Sequence, residues 1–147
     1  MPEYSQKSKD NLATCHPDLQ ELFNEVIKEF DCTVIEGHRE PERQRELFHD
    51  GLTKILDSKH LRNPSLAVDV VPFPERYSNK FTMCYFAGYV KGIVNKINSE
   101  RTEINKVRES HNSKPLPLIK LIWGGDFNQD TQIGKEWFDG AHFELIL

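Results

Sequence analysis

Ser58-Lys-His-Leu-Arg-Asn-Pro-Ser-Leu-Ala-Val-Asp-Val-Val-Pro72 changes character half-way along. Its first half mixes charges with Asn, Pro and Ser, which marks a loop. Leu66 to Val71 is an apolar, β-branched run closed by Pro72, which marks a buried strand. Asp69 stands inside that strand between Val68 and Val70. An ionised carboxylate there is costly unless it is paired, hydrogen-bonded or bound to a metal. Asp69 therefore demands a partner, and the local sequence accepts either a buried arginine or a cation.

Outward from this strand, Leu19, Leu22, Phe23, Val26, Ile27 and Phe30 recur at helical spacing, with Pro17 suited to the first helical position. The spacing predicts an amphipathic helix over Pro17 to Phe30. Cys32 to Ile35 reads as a short strand ending at Gly37. A second helix is expected from Pro41 to Gly51, with Leu47 and Phe48 inward. A third is expected from Phe81 to about Ile97, on a face formed by Tyr85, Tyr89, Ile93 and Ile97 with Phe86, Val90 and Val94 alongside. Ser99 to Pro117 is strongly charged and gives either a polar helix followed by a loop or a mobile insertion, its charges forming a solvated face. Leu118 to Trp123 and Ala141 to Ile146 read as strands. Helices early and strands late favour one α+β domain over residues 1–147, with helices packed on a small, mostly antiparallel sheet.

The chain has 147 residues, enough for one domain to bury a core without a metal to staple it. A net charge of -4 argues against nucleic acid as the main partner. Cys15, Cys32 and Cys84 are odd in number, widely spaced and never in a C-x-x-C pair, so free thiols and synthesis in a reducing cytosol are expected. Met1 to Asp10 has no apolar stretch after its charges and does not resemble a secretory signal. No run approaches the roughly 20 apolar residues of a membrane span, so membrane insertion is not expected.

The C-terminal stretch Trp137-Phe-Asp-Gly-Ala-His-Phe-Glu-Leu-Ile-Leu147 carries the second group of polar residues in apolar company. Strand alternation puts His142 on the side of Glu144 and Ile146, opposite Phe143 and Leu145. A half-buried histidine with a satisfied ring explains His142 as well as a ligand does. Asp139, just before the strand, fits a turn at Asp139-Gly140 or a carboxylate near the same centre. His60 alone is an ordinary loop histidine, like His16, His38, His49 and His111.

These residues in this order carry a resemblance. Ser58-x-His60 followed by Ala67-Val-Asp69, then Trp123-Gly-Gly-Asp126 and Asp139-x-x-His142-Phe-Glu-Leu145, resembles the zinc peptidases that cut D-Ala-D-Ala or L-Ala-D-Glu bonds in bacterial cell walls. Glu36-Gly-His-Arg39, with Gln44, Leu47 and Gly51 after it, matches as well. The pattern is most similar to the L-alanyl-D-glutamate endopeptidases, or endolysins, of bacteriophages, and implies the hedgehog and D,D-peptidase fold.

The resemblance implies Zn2+ held by His60, Asp69 and His142, with Asp139 as general base. It implies Arg39 as the group that steadies the substrate carbonyl or carboxylate, although an ion pair of Arg39 with Glu40 or Glu42 is an alternative. Ser58 is implied as a substrate contact. His60 to Asp69 spans nine positions where many relatives have seven, and Asn63-Pro64-Ser65 can bulge in the loop without parting the ligands. The implied partner is a peptidoglycan stem peptide. The protein is expected to be a monomer, made in the cytoplasm (the host's, if phage-encoded) and acting on the wall after release by a separate permeabilising factor. A D-Ala-D-Ala carboxypeptidase or dipeptidase with the same ligands is the alternative enzyme. A non-catalytic zinc-stabilised binding module is the alternative of another class.

Overall fold

A computed structural model describes residues 1–74, 79–133 and 137–147. Helices α1 (Gln6–Ala13) and α2 (Pro17–Val26) lead into strand β1 (Cys32–Glu36) and helix α3 (Pro41–His49). A single 3-10 turn over Lys59–Leu61 precedes β2 (Ala67–Pro72), followed by the long α4 (Lys80–Ser110), β3 (Leu121–Trp123) and β4 (His142–Leu145). The strands form one sheet in the order β1-β2-β4-β3, and every pairing in it is antiparallel. The expected α+β architecture with helices on a small antiparallel sheet is what forms.

β2 is interior to the sheet, and its two faces do different things. Val68 and Val70 are fully buried against the helices, while Asp69 turns to the opposite face. On β4 the same alternation buries Phe143 and Leu145 in the helix-side core and leaves His142 and Glu144 on the face of Asp69. Phe143 meets Phe23 of α2 edge-on at 5.3 Å and Phe86 of α4 at 6.1 Å, so one strand residue ties both helices to the sheet.

Three expectations need correction. The α4 stripe runs through Met83, Phe86, Ala87, Val90, Val94 and Ile97, whereas Tyr85 points to solvent. On α3 it is Gln44 that is buried and Phe48 that is exposed, because the helix lies over a polar site rather than the core. The Pro17 helix stops at Val26, and Ile27 to Glu29 form a turn. Helix α1, capped by Ser5 and burying Ser8 and Leu12, lacks the apolar periodicity that marks α2.

Ser99 to Ser110 simply continues α4. Arg101 is buried one turn beyond Ile97 and reaches Asp18 at 2.7 Å, Glu21 at 2.6 Å and the Pro117 carbonyl at 2.7 Å. Asn98 and Asn105 use both ends of their amides, donating to the Ile119 and Leu116 carbonyls and accepting from the same residues' N–H groups. Each asparagine acts as a short strand would, so the extended 114–119 segment is satisfied along a helix. Arg101 is thus the charge that docks this segment, while Glu100, Glu103, Lys106, Glu109 and Lys114 form the expected solvated face.

Cys15 and Cys32 are buried and unpaired, and burial pushes each thiol up to about 12. Folding stabilises the protonated thiols, an effect fully present below the ordinary value of 9.0 and lost as pH rises toward about 12. At pH 8 a thiol reagent is expected to label Cys84 in the native chain and the other two only after denaturation. Fast native labelling of all three would contradict this packing.

Candidate metal centre

The turn at Lys59–Leu61 is shaped by Ser58, whose hydroxyl accepts from the His60 N–H at 3.2 Å. The loop closes where the Leu66 N–H donates to the Lys59 carbonyl at 3.1 Å, and Asn63 and Pro64 bulge outward to solvent. The longer spacing between His60 and Asp69 is absorbed there. β2 and β4 then pair with Asp69 directly opposite His142. Ligand-type atoms of His60, Asp69 and His142 all lie within 4.8 Å of one another.

Both rings have their orientation specified by a partner behind them. His60 Nδ1 lies 2.7 Å from the Gly37 carbonyl, which can only accept, so Nδ1 carries the proton and Nε2 faces Asp69 Oδ1 at 3.2 Å. His142 is mounted the other way, with Nε2 2.9 Å from Glu144 Oε1 and Nδ1 3.4 Å from the same Asp69 oxygen. Glu144 is in turn paired with Lys59 at 3.0 Å. Two imidazole nitrogens and a carboxylate oxygen converge, each histidine backed by an acceptor, and that donor set suits a divalent cation such as zinc.

Electrostatics follow from that convergence. Burial alone would raise the Asp69 carboxyl, but its interactions with the His142 and His60 rings outweigh it and hold the group far below the usual carboxylate range. Burial would lower His142, yet bonds to Asp69 and Glu144 raise it to about 9. Asp139 is shifted up, first by burial and then by the negative charge of Asp69. Glu144 ends below its ordinary value, because His142 and Lys59 overcome its burial.

Arg39 is also brought to the centre. Its Nη2 lies 3.6 Å from Asp69 Oδ2, its Nη1 donates to Gln44 Oε1 at 2.7 Å, and Nε and Nη2 both engage Glu36 Oε1. Arg39 therefore pairs with Glu36 at the end of β1 and with Asp69, the buried arginine that the sequence allowed for that carboxylate, and neither Glu40 nor Glu42 takes that role. The Arg39 N–H also donates to the His60 carbonyl at 2.8 Å, linking the β1 end to the turn that carries His60.

Asp139 is held by main-chain bonds: its N–H donates to the Gly124 carbonyl at 2.8 Å, and its carbonyl accepts from the His142 N–H at 3.1 Å. A Cβ on Gly124 would fall 2.2 Å from the Asp139 carbonyl oxygen and 3.0 Å from His142 Cβ. Only glycine permits this approach. Asp126, the last residue of the Trp123-Gly-Gly-Asp126 phrase, is buried and accepts from the Asp130 and Thr131 N–H groups, which closes the following turn. Gly124→Ala is expected to cost about 1–3 kcal/mol of stability and to lower activity. Gly88→Ala on α4, where a Cβ meets open space, should gain roughly 0.5–1 kcal/mol. Equal melting temperatures for the two variants would refute this packing.

The model of the family "Phage L-alanyl-D-glutamate peptidase" matches residues 2–80, more than half of the chain. The chain belongs to that family. The matched residues include Arg39, Ser58, His60 and Asp69, while Asp139 and His142 come from the C-terminal strand region beyond them. A solved structure, the L-Ala D-Glu endopeptidase ChiX of Serratia marcescens, is similar over 98% of this chain and 90% of its own, at 25% identity and a TM-score of 0.68. No curated protein sequence matches the chain. As a member of this peptidase family the chain has one cluster of metal-ligand type among the described residues, His60, Asp69 and His142. Sequence reasoning named those three but not their supports, since neither Lys59 nor the Gly37 carbonyl has a local signature.

Proposed function

We propose that this peptidase hydrolyses the L-alanyl-D-glutamate bond of peptidoglycan stem peptides as a zinc enzyme of phage-type lysis, acting as a monomer on the cell wall after release from the cytoplasm. The convergence of His60 Nε2, Asp69 and His142 Nδ1 within 4.8 Å on a peptidase frame carries this reading. Zinc, when bound by these residues, polarises a scissile carbonyl and lowers the pKa of water toward about 7. Asp139 takes the proton of the attacking water and delivers it to the leaving amine, a role favoured by its place beside the cluster and outside its ligand set. Arg39 contributes a fixed positive charge beside Asp69, which favours the negative charge that develops on the substrate oxygen. Ser58 has accepted from His60, so its hydroxyl hydrogen is what it offers to a stem-peptide carbonyl.

Digestion of purified stem peptides with zinc present, followed by mass spectrometry, tests the assignment. A new D-glutamate amino terminus is expected. Release of terminal alanine would instead make the chain a D,D-carboxypeptidase, and no cleavage of either bond would leave a zinc-stabilised binding module.

A further inference from the structure

We propose that the Lys59–Glu144 ion pair is a positioning device for the metal centre, holding the His142 ring with Nδ1 inward and tying the two histidine-bearing segments together. This rests on reading His60, Asp69 and His142 as a metal site. The site uses a different nitrogen from each ring, Nε2 of His60 and Nδ1 of His142. Each ring must therefore be oriented separately, because an imidazole flipped about its Cβ–Cγ bond presents another edge. For His60 the backbone does this, through the Gly37 carbonyl at 2.7 Å. For His142 a side chain does it, through Glu144 Oε1 at 2.9 Å.

Glu144 can serve because β4 alternation places it on the His142 face. Its second oxygen, Oε2, is held by Lys59 Nζ at 3.0 Å, and that ammonium also donates to the Leu145 carbonyl at 2.6 Å. Lys59 is the chain neighbour of His60, and its own carbonyl accepts the Leu66 N–H that closes the ligand loop. A continuous path thus runs from the His142 ring through Glu144 and Lys59 to the turn that carries His60. The pair is only partly exposed, with side-chain accessibilities of 32% for Lys59 and 17% for Glu144, so its geometry is more constrained than that of a surface ion pair. Acceptors placed behind ligand histidines typically alter metal affinity by about 10–100-fold when removed.

Zinc affinity measured by chelator competition on the full chain tests this. Glu144→Ala is expected to bind zinc about 10–100-fold more weakly. Glu144→Gln, which keeps an acceptor on the same stem, should recover most of the loss, and Lys59→Met should show a smaller loss than Glu144→Ala. Nitrogen-15 NMR of the zinc-loaded chain should show a slowly exchanging His142 Nε2–H that Glu144→Ala loses. Melting of the metal-free variants separates positioning from folding: a purely structural pair would lower that melting temperature and leave zinc affinity unchanged, which overturns the inference. Glu144→Gln as weak as Glu144→Ala overturns the acceptor role, and unchanged affinity in Lys59→Met overturns the tether. An unaltered chain that binds no zinc overturns the metal reading itself, and this inference with it.

Discussion

Asp139→Ala is expected to lower kcat on a stem peptide by about 10²–10⁴-fold, the usual contribution of a positioned acid–base group, without loss of zinc. The residue is outside the ligand cluster, so its removal leaves two nitrogens and one carboxylate in place. Its main chain is locked between Gly124 and His142, which means the carboxylate cannot drift far from the centre. Burial and the charge of Asp69 both raise its affinity for a proton, a bias that suits the acid–base role proposed for it. Asp139→Asn should behave like the alanine variant, since an amide keeps the shape and loses the basicity. Zinc content by elemental analysis alongside initial rates makes the comparison, and unchanged hydrolysis would remove Asp139 from the mechanism.

Asp69→Ala should have the broader effect. Both histidines converge on its Oδ1, and Arg39 Nη2 lies 3.6 Å from its Oδ2. Without it zinc affinity should fall by more than the roughly 10–100-fold that follows loss of a supporting hydrogen bond, and hydrolysis should disappear with the metal. The metal-free chain should also lose stability, on the order of 3–5 kcal/mol, because a buried network loses the carboxylate on which both rings and Arg39 converge. Asp69→Asn separates the two effects: it keeps volume and hydrogen bonding but lacks the charge. Chelator competition and thermal melting of both variants are the measurements. Retention of tight zinc binding by Asp69→Ala would exclude it as a ligand.

Several features were legible because they are local. Pro17 and the leucine–phenylalanine stripe after it mark α2, and Phe143 and Leu145 alternating with His142 and Glu144 mark the two faces of β4. Asp69 among valines signals an unmet electrostatic demand from one strand alone. Other features were hidden because their causes are distant in the chain. The end of α4 is charged and lacks an apolar face, yet it is held by Arg101 on Asp18 and Glu21 and by asparagines gripping the 114–119 segment. Phe48 is a good core residue by composition, but α3 buries Gln44 instead, because that amide joins Arg39 to the Ile55 carbonyl.

By itself the sequence determined the alternation of faces, the presence of an acid that needs a partner, and a family pattern linking His60, Asp69, Asp139 and His142. Only the tertiary structure decided which nitrogen of each histidine points inward, that Arg39 pairs with Glu36, and that Glu144 and Lys59 stand behind His142. The physical reason is that burial periodicity is a property of a single segment, whereas most partners of the ring nitrogens and carboxylates come from distant segments brought together by loop closure and strand register. Here that register places Asp69 opposite His142.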